Sequence, residues 1–184
     1  MRSFSPRDRW LLLAAAAIGL VLVIGRLMSV EPPVTGRATA VDGDTLHLGG
    51  ERVRIVGMDA PELGQRCRDS FGAEWSCGEA ARLRLSALLQ QGDTACRPQG
   101  RDRYGRLLAS CAAGEADLGE AMVRGGLAVA DGYYFDSEAM ARNEKAGIWA
   151  GDFVLPAQWR RQHEFNAGRP EPGNPWNTIR EWFR

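Results

Sequence analysis

A chain of 184 residues, 45% hydrophobic and 25% charged, is long enough for one compact domain with extensions and too short for two ordinary ones. Its formal charge is zero, and beyond residue 33 acidic residues outnumber basic ones slightly, because Arg2, Arg7, Arg9 and Arg26 face only Asp8 and Glu31 before that point. That balance excludes a protein holding nucleic acid by a broad basic field, so any phosphate chemistry must come from a local cluster.

From Trp10 to Gly25 no residue is charged, and the apolar stretch continues through Arg26 to Val30. At about 1.5 Å per residue the stretch makes roughly 31 Å of helix, enough to cross a hydrocarbon core. Arg2, Arg7 and Arg9 precede it, so the positive-inside rule keeps the N-terminus cytoplasmic and exports the rest of the chain. Residues 1–30 therefore read as a signal anchor or transmembrane helix, with the membrane as its partner. The same features describe a cleavable signal peptide, which would leave the domain secreted, although Val23-Ile24-Gly25 is a poor cleavage site. In either case the domain is expected outside the cytoplasm. Glu31-Pro32-Pro33 forms a short stiff linker.

Residues 34–151 read as one domain. Val34 to Gly50 alternates around Asp42-Gly43, a hairpin signal, and Val53, Ile55 and Gly57 continue a third strand until Pro61, with Arg52 and Arg54 on its other face. Gly78 to Gln91 has Ala81, Leu85, Leu88 and Leu89 at helical spacing. Thr94–Arg97 and Leu107–Cys111 read as strands joined by a polar loop, and helices are expected over Asp117–Arg124 and Ser137–Ala146. Three strands, a helix, two strands and further helices give an α+β fold: a five-stranded OB-fold barrel with about three helices. The Pro-, Trp- and Arg-rich extension, 152–184, reads as loop with short helical pieces, and its tryptophans with Trp149 as packing or tail anchors.

The four cysteines, Cys67, Cys77, Cys96 and Cys111, form no C-x-x-C pair, and only His47 and His163 are available to complete a zinc site. His47 alternates with Leu46 and Leu48 and reads as a surface strand residue. Two disulfides, and hence an oxidising compartment, fit better. A hairpin centred between Arg103 and Tyr104 sets Cys96 opposite Cys111, within disulfide range, and Cys67 and Cys77 then pair by elimination.

Four short elements bear on chemistry. Asp42-Gly43-Asp44-Thr45 alone is a turn, Arg54 alone an exposed strand residue, Asp59-Ala60-Pro61-Glu62 alone a strand end and Asp102-Arg103-Tyr104-Gly105-Arg106 alone a solvated loop. Together they hold two carboxylates and a backbone carbonyl, the hard oxygens calcium prefers. They add a carboxylate able to take a proton from water, and two guanidinium forks suited to phosphate.

In order and spacing, D-G-D-T, R-I-V-G-M-D-A-P-E, D-R-Y-G-R and G-I-W resemble the staphylococcal thermonuclease family over roughly Val34 to Gly151. The resemblance implies calcium held by Asp44, Asp59 and the carbonyl of Ala60, where threonine is the better-known occupant. It implies Glu62 as general base, Arg54 and Arg106 as phosphate clamps, and Tyr104 lining the nucleotide pocket. It also implies cleavage of DNA and RNA to 3′-phosphates. The segment before the last family helix, Ala128 to Ser137, is compressed here, leaving Tyr133 and Tyr134 to replace base-stacking tyrosines. The alternative is an OB-type module at the membrane that binds nucleic acid or protein without cutting it. A membrane-assembly domain with incidental motifs is a third reading.

Overall fold

The alternation that begins at Val34 does build strands. A computed structural model describes residues 31–167, together with Trp10 and residues 15–20. The chain divides into two units, Met1–Pro32 and Pro33–Arg184. In the first, residues 15–20 are helical. Most of the expected membrane segment lies outside the described residues, and among those no helix is long and apolar enough to cross a membrane.

In the second unit β1 (Val34–Gly36), β2 (Ala38–Ala40), β3 (Thr45–Leu48) and β4 (Glu51–Ile55) follow one another. Three two-residue strands come next, β5 (Met58–Asp59), β6 (Cys67–Arg68) and β7 (Glu74–Trp75), then helix α1 (Cys77–Leu89). The long hairpin β8 (Thr94–Arg101) and β9 (Leu107–Ala113) leads into β10 (Ala116–Asp117). Helix α2 (Leu118–Arg124), strand β11 (Val129–Ala130), helix α3 (Phe135–Asn143), a 3₁₀ turn (Gly147–Ala150) and helix α4 (Pro156–Ala167) complete the described chain.

The main sheet runs β1-β8-β9-β4-β3-β2, with β10 added to β9. Only Arg37 separates β1 from β2, so the two ends of this order are adjoining pieces of one segment and the sheet curls round its own core. The β4–β9 pairing is parallel and the others are antiparallel. The expected mixed α+β, OB-like arrangement is therefore present. Leu46, Leu48, Val53 and Ile55 point inward, and Leu85 and Leu88 of α1 and Leu118 and Met122 of α2 close over them. Each such side chain stabilises by about 1.5–3 kcal/mol when fully buried.

Four α-helices occur among the described residues of this second unit, against about three expected for the domain. The additional one is α4, where the sequence reading placed loop and short helical pieces. Its first residue is Pro156, whose fixed φ and missing N–H suit a first helical position. Helix α3 starts at Phe135 rather than Ser137 and ends at Asn143, because Lys145 and Gly147 take positive φ and cannot extend it. Strands β8 and β9 run past the expected ends, to Arg101 and Ala113.

Both expected disulfides form, with Cα–Cα distances of 5.7 Å for Cys67–Cys77 and 4.1 Å for Cys96–Cys111. Cys96 pairs with Cys111 in register, as the hairpin centre required. A bulge between Pro98 and Gly100 then moves the outer part of the hairpin by one residue, so the tip is centred on Tyr104.

Candidate active site

The site begins with a loop that a glycine makes possible. Between β2 and β3, the Asp42 carboxylate accepts from the backbone N–H of Asp44 (3.0 Å) and of Thr45 (2.7 Å), fixing the turn. A Cβ on Gly43 would lie 2.6 Å from the Ala60 Cβ and 2.8 Å from that of Ala81, so only glycine lets this loop rest against the Ala60 segment and α1. That approach carries Asp44 to the neighbourhood of Asp59.

Arg54, on β4 directly across from Thr45, joins the two carboxylates. Its guanidinium lies 2.7 Å from Asp44 Oδ2 and 3.0 Å from Asp59 Oδ1. Both aspartates are 5% exposed. Burial pushes the Asp44 carboxyl up to about 7, against the pull of Arg54. Burial also opposes the charge on Arg54, but Asp44 and Asp59 outweigh it and raise its pKa. The arginine that reads as an exposed strand residue in isolation is thus a largely buried, paired one.

Asp59 ends β5, which pairs with β11, and Ala60 (2% exposed), Pro61 and Glu62 follow. Two contacts hold the Glu62 segment from behind. The Glu62 N–H donates to Gln65 Oε1 at 3.2 Å, and a Cβ on Gly78 would stand 1.7 Å from the Glu62 carbonyl oxygen. The first turn of α1 therefore packs on the backbone of Glu62, and the Cys67–Cys77 disulfide ties the two segments together.

At the hairpin tip Asp102 organises the D-R-Y-G-R motif. Its Oδ1 accepts from the N–H groups of Tyr104 and Arg106, and its Oδ2 accepts from Arg106 Nε at 2.7 Å. Desolvation acts against ionised Asp102, but these donors prevail and hold its carboxyl below the usual range. Arg106 Nη1 reaches Thr45 Oγ1 at 3.4 Å, and Thr45 donates to Asp44, so the tip is wired to the first loop.

These elements surround a cavity of about 730 Å³ lined by Asp42, Asp44, Arg52, Arg54, Glu62, Asp102, Arg103, Tyr104, Arg106, Leu108 and Arg160. Five arginines surround this one opening, a local concentration of positive charge in a slightly acidic domain. Asp44, Arg54, Glu62 and Arg106 line it from four separate segments, Asp59 adjoins it through Arg54 and Arg160, and Tyr104 stands exposed at the rim.

The staphylococcal nuclease homologue family matches residues 52–151. The chain belongs to this family. Among curated proteins it is 37% identical over 124 residues to the succinoglycan biosynthesis protein ExoI of Rhizobium meliloti (strain 1021), covering 64% of the chain and 65% of that relative, so less than two thirds of the relative's length is spanned. It is 31% identical over 174 residues to the micrococcal nuclease of Shigella flexneri, covering 81% of the chain and 92% of that relative.

The segment matching the nuclease family carries Arg54, Asp59, Ala60, Glu62, Tyr104 and Arg106, but neither Asp44 nor Arg160. Asp44 was legible as part of D-G-D-T. Arg160 was missed: it projects from α4 into the acidic side of the site, 2.9 Å from each Asp59 oxygen and 2.7 Å from Glu62 Oε1. Gln65 was missed as well, since nothing distinguishes a fully buried glutamine in a loop sequence. Pro156 and the spacing after it were the only signals for the helix carrying Arg160.

Tyr133 and Tyr134 are not brought to the cavity. The Tyr133 side chain covers Gly57, where a Cβ would come within 2.4 Å of its ring. The Tyr134 ring packs on Gly119, and its hydroxyl donates to Asp117 at 2.9 Å. Burial and that hydrogen bond raise the Tyr134 pKa. Its expected base-stacking role gives way to a packing one, because the compressed segment turns it onto α2. Trp149 packs against Phe153 and under Arg142, and Trp159 stacks on His163 at 3.6 Å. His47 is exposed, as expected.

The donor set suits a hard dication. Two buried carboxylates are joined through Arg54, and burial raises the Asp44 pKa against the pull of that arginine, so a further cation beside Asp44 would be favoured. Among the described residues no three His, Cys, Asp or Glu side chains converge to hold a metal by themselves. Carbonyl and water oxygens would have to complete the shell, as calcium allows.

Proposed function

We propose that this chain is a calcium-dependent nuclease that hydrolyses phosphodiester bonds in DNA and RNA outside the cytoplasm, tethered by its N-terminal segment. The observation that carries the reading is the convergence of Asp44, Arg54, Glu62 and Arg106 on one arginine-rich cavity, with Asp59 tied to it through Arg54. Two disulfides and the apolar N-terminal stretch support an exported domain.

In this reading Asp44, Asp59 and the Ala60 carbonyl hold calcium. When bound, the ion supplies positive charge to phosphate oxygens. Arg54 and Arg106 grip the scissile phosphate with planar donors and face charge as it develops at phosphorus. Glu62 accepts a proton from water as its oxygen bonds to phosphorus. The bond to the 5′-oxygen breaks, solvent protonates that oxygen, and the phosphate stays on the 3′ side. Tyr104, exposed at the rim beside Arg103 and Arg106, gives a nucleotide ring a surface to meet.

The test is to incubate the purified domain with plasmid DNA and with RNA, with calcium and with a chelator. Cleavage of both only in calcium is expected. Retention of intact nucleic acid by folded, calcium-loaded protein would replace this reading with the binding module.

A further inference from the structure

We propose that Arg160 is a positioning residue for Glu62, delivered to the site by the C-terminal helix; the inference rests on the hydrolytic reading above. Among the described residues the Glu62 carboxylate has little else to hold it. Its side chain is 30% exposed, and Arg160 Nη1, at 2.7 Å from Oε1, is its ion-pair partner. Several rotatable bonds separate that carboxylate from the backbone, and without a partner it samples rotamers freely. Arg160 does not hold Glu62 alone. The same Nη1 lies 2.9 Å from Asp59 Oδ1, and Nη2 lies 2.9 Å from Asp59 Oδ2. One planar guanidinium thus ties the base to a carboxylate that Arg54 already fixes at 3.0 Å.

The resulting chain alternates in charge: Asp44, Arg54, Asp59, Arg160, Glu62. Among the described residues only Oε1 of Glu62 is engaged, which leaves Oε2 with its lone pairs for a water proton. A lysine in place of Arg160 has no fork with which to span both carboxylates.

The helix bearing Arg160 is anchored to the segment it serves. Gln65 is fully buried, accepts from the Glu62 backbone N–H through Oε1 and donates through Nε2 to the Val154 carbonyl at 2.6 Å. One side chain therefore couples the backbone of the base to the chain entering α4. The Trp159 ring, one residue before Arg160, lies 3.8 Å from where a Cβ on Gly64 would stand. Gln65 and Trp159 fix the helix on the 62–65 loop, and Arg160 then fixes the carboxylate.

A purely structural role for Arg160 predicts lost stability with normal chemistry. A blocking role predicts faster turnover when the arginine is removed. The test compares the full chain with Arg160→Ala and Arg160→Lys on a short DNA oligonucleotide at saturating calcium, with hydrogen exchange over residues 156–163 reporting helix docking. Arg160→Ala should lower kcat about 10- to 100-fold with KM within about threefold, since a misplaced base damages the chemical step more than binding. Arg160→Lys should recover part of the loss, and so should millimolar guanidinium ion added to Arg160→Ala. If Arg160→Ala undocks the helix, Arg160→Lys with the helix docked and kcat still reduced supports the proposal.

A second measurement needs no activity. In metal-free protein, a double-mutant cycle of Arg160→Ala and Glu62→Gln on the urea unfolding equilibrium should show coupling of about fivefold or more. Unchanged or raised kcat in a docked Arg160→Ala variant, or coupling below about twofold, overturns the proposal. If the wild-type chain cuts nothing, the hydrolytic reading fails separately and the cycle alone decides whether Arg160 holds Glu62.

Discussion

Gly78 offers a test in which local propensity and tertiary packing predict opposite signs. It sits in the first turn of α1, where replacing glycine by alanine ordinarily stabilises a helix by about 0.5–1 kcal/mol. In this fold the added Cβ would meet the Glu62 carbonyl oxygen at 1.7 Å, the Glu62 carbonyl carbon at 2.5 Å and the Leu63 Cα at 3.0 Å. These are backbone atoms, so no rotamer change relieves the clash. Moving the oxygen out to the 3.0 Å that real Cβ atoms keep requires a shift of at least 1.3 Å between α1 and the Glu62 segment. Overpacking of this kind costs about 1–3 kcal/mol, so Gly78→Ala should be net destabilising despite its helix propensity. The displaced segment carries the proposed base, and a misplacement of about 1 Å is enough to cost about 10²-fold in turnover. Urea unfolding and kcat at saturating calcium measure the two effects, with the exposed helix position Arg84→Ala as the propensity control. An alanine variant that is more stable by about 0.5–1 kcal/mol and turns over normally would refute the packing of α1 on Glu62.

The other predictions bear on roles and stability. Glu62→Gln should lower turnover by about 10²-fold or more while calcium binding survives, whereas Asp44→Ala should weaken calcium binding and recover activity partly in excess metal. A calcium titration of both variants separates them, and near-normal turnover of Glu62→Gln at saturation would remove the base assignment. Breaking Cys96–Cys111, which closes a 15-residue separation, should cost about 3 kcal/mol in urea unfolding, and peptide mapping of the intact chain should recover that bridge and Cys67–Cys77. Tyr134 sets an alkaline limit. The folded chain keeps its phenol proton to higher pH than the unfolded chain, whose ordinary value is 10.0, because of burial and the bond to Asp117. Its contribution is complete below that value and is lost as pH rises through the folded pKa, so stability measured between about pH 9 and 11 should fall less steeply in Tyr134→Phe.

Much of the barrel was legible because its signals are local and periodic. Alternation in Val34–Leu48 and Val53–Ile55, and the helical spacing of Ala81, Leu85 and Leu88, name the inward-facing residues without reference to distant parts of the chain. The Cys96–Cys111 pair followed from symmetry about a hairpin tip. That symmetry survived because the bulge at Pro98–Gly100 lies between the cysteine pair and the tip, where it shifts the tip and leaves the pair in register. What the sequence did not announce was the continuous helix over Pro156–Ala167; the rest of the expected extension, 168–184, lies outside the described residues. Helix α4 has no broad apolar stripe, so hydrophobic periodicity cannot announce it. It is held by Gln65, by Trp159 against the Gly64 loop and by an ion-paired arginine, contacts made with residues about a hundred positions earlier.

The site divides in the same way. Its carboxylates and arginines were readable as residue types in short motifs, but their pairing was not, because a motif does not say which charge sits beside which. Arg54 illustrates the difference. Alone in a strand it is cheapest as a solvated side chain, since an unpaired buried guanidinium is costly. Between Asp44 and Asp59 it is instead the charge that lets two carboxylates, each 5% exposed, stand side by side. The compensation remains partial, as the raised Asp44 pKa registers. Residual negative charge of this kind favours a dication, and the arginines flanking it favour a phosphate. The incomplete pairing around Asp44 is therefore the feature on which the proposed dication depends, and the arginines around the opening are the feature on which the proposed phosphate depends.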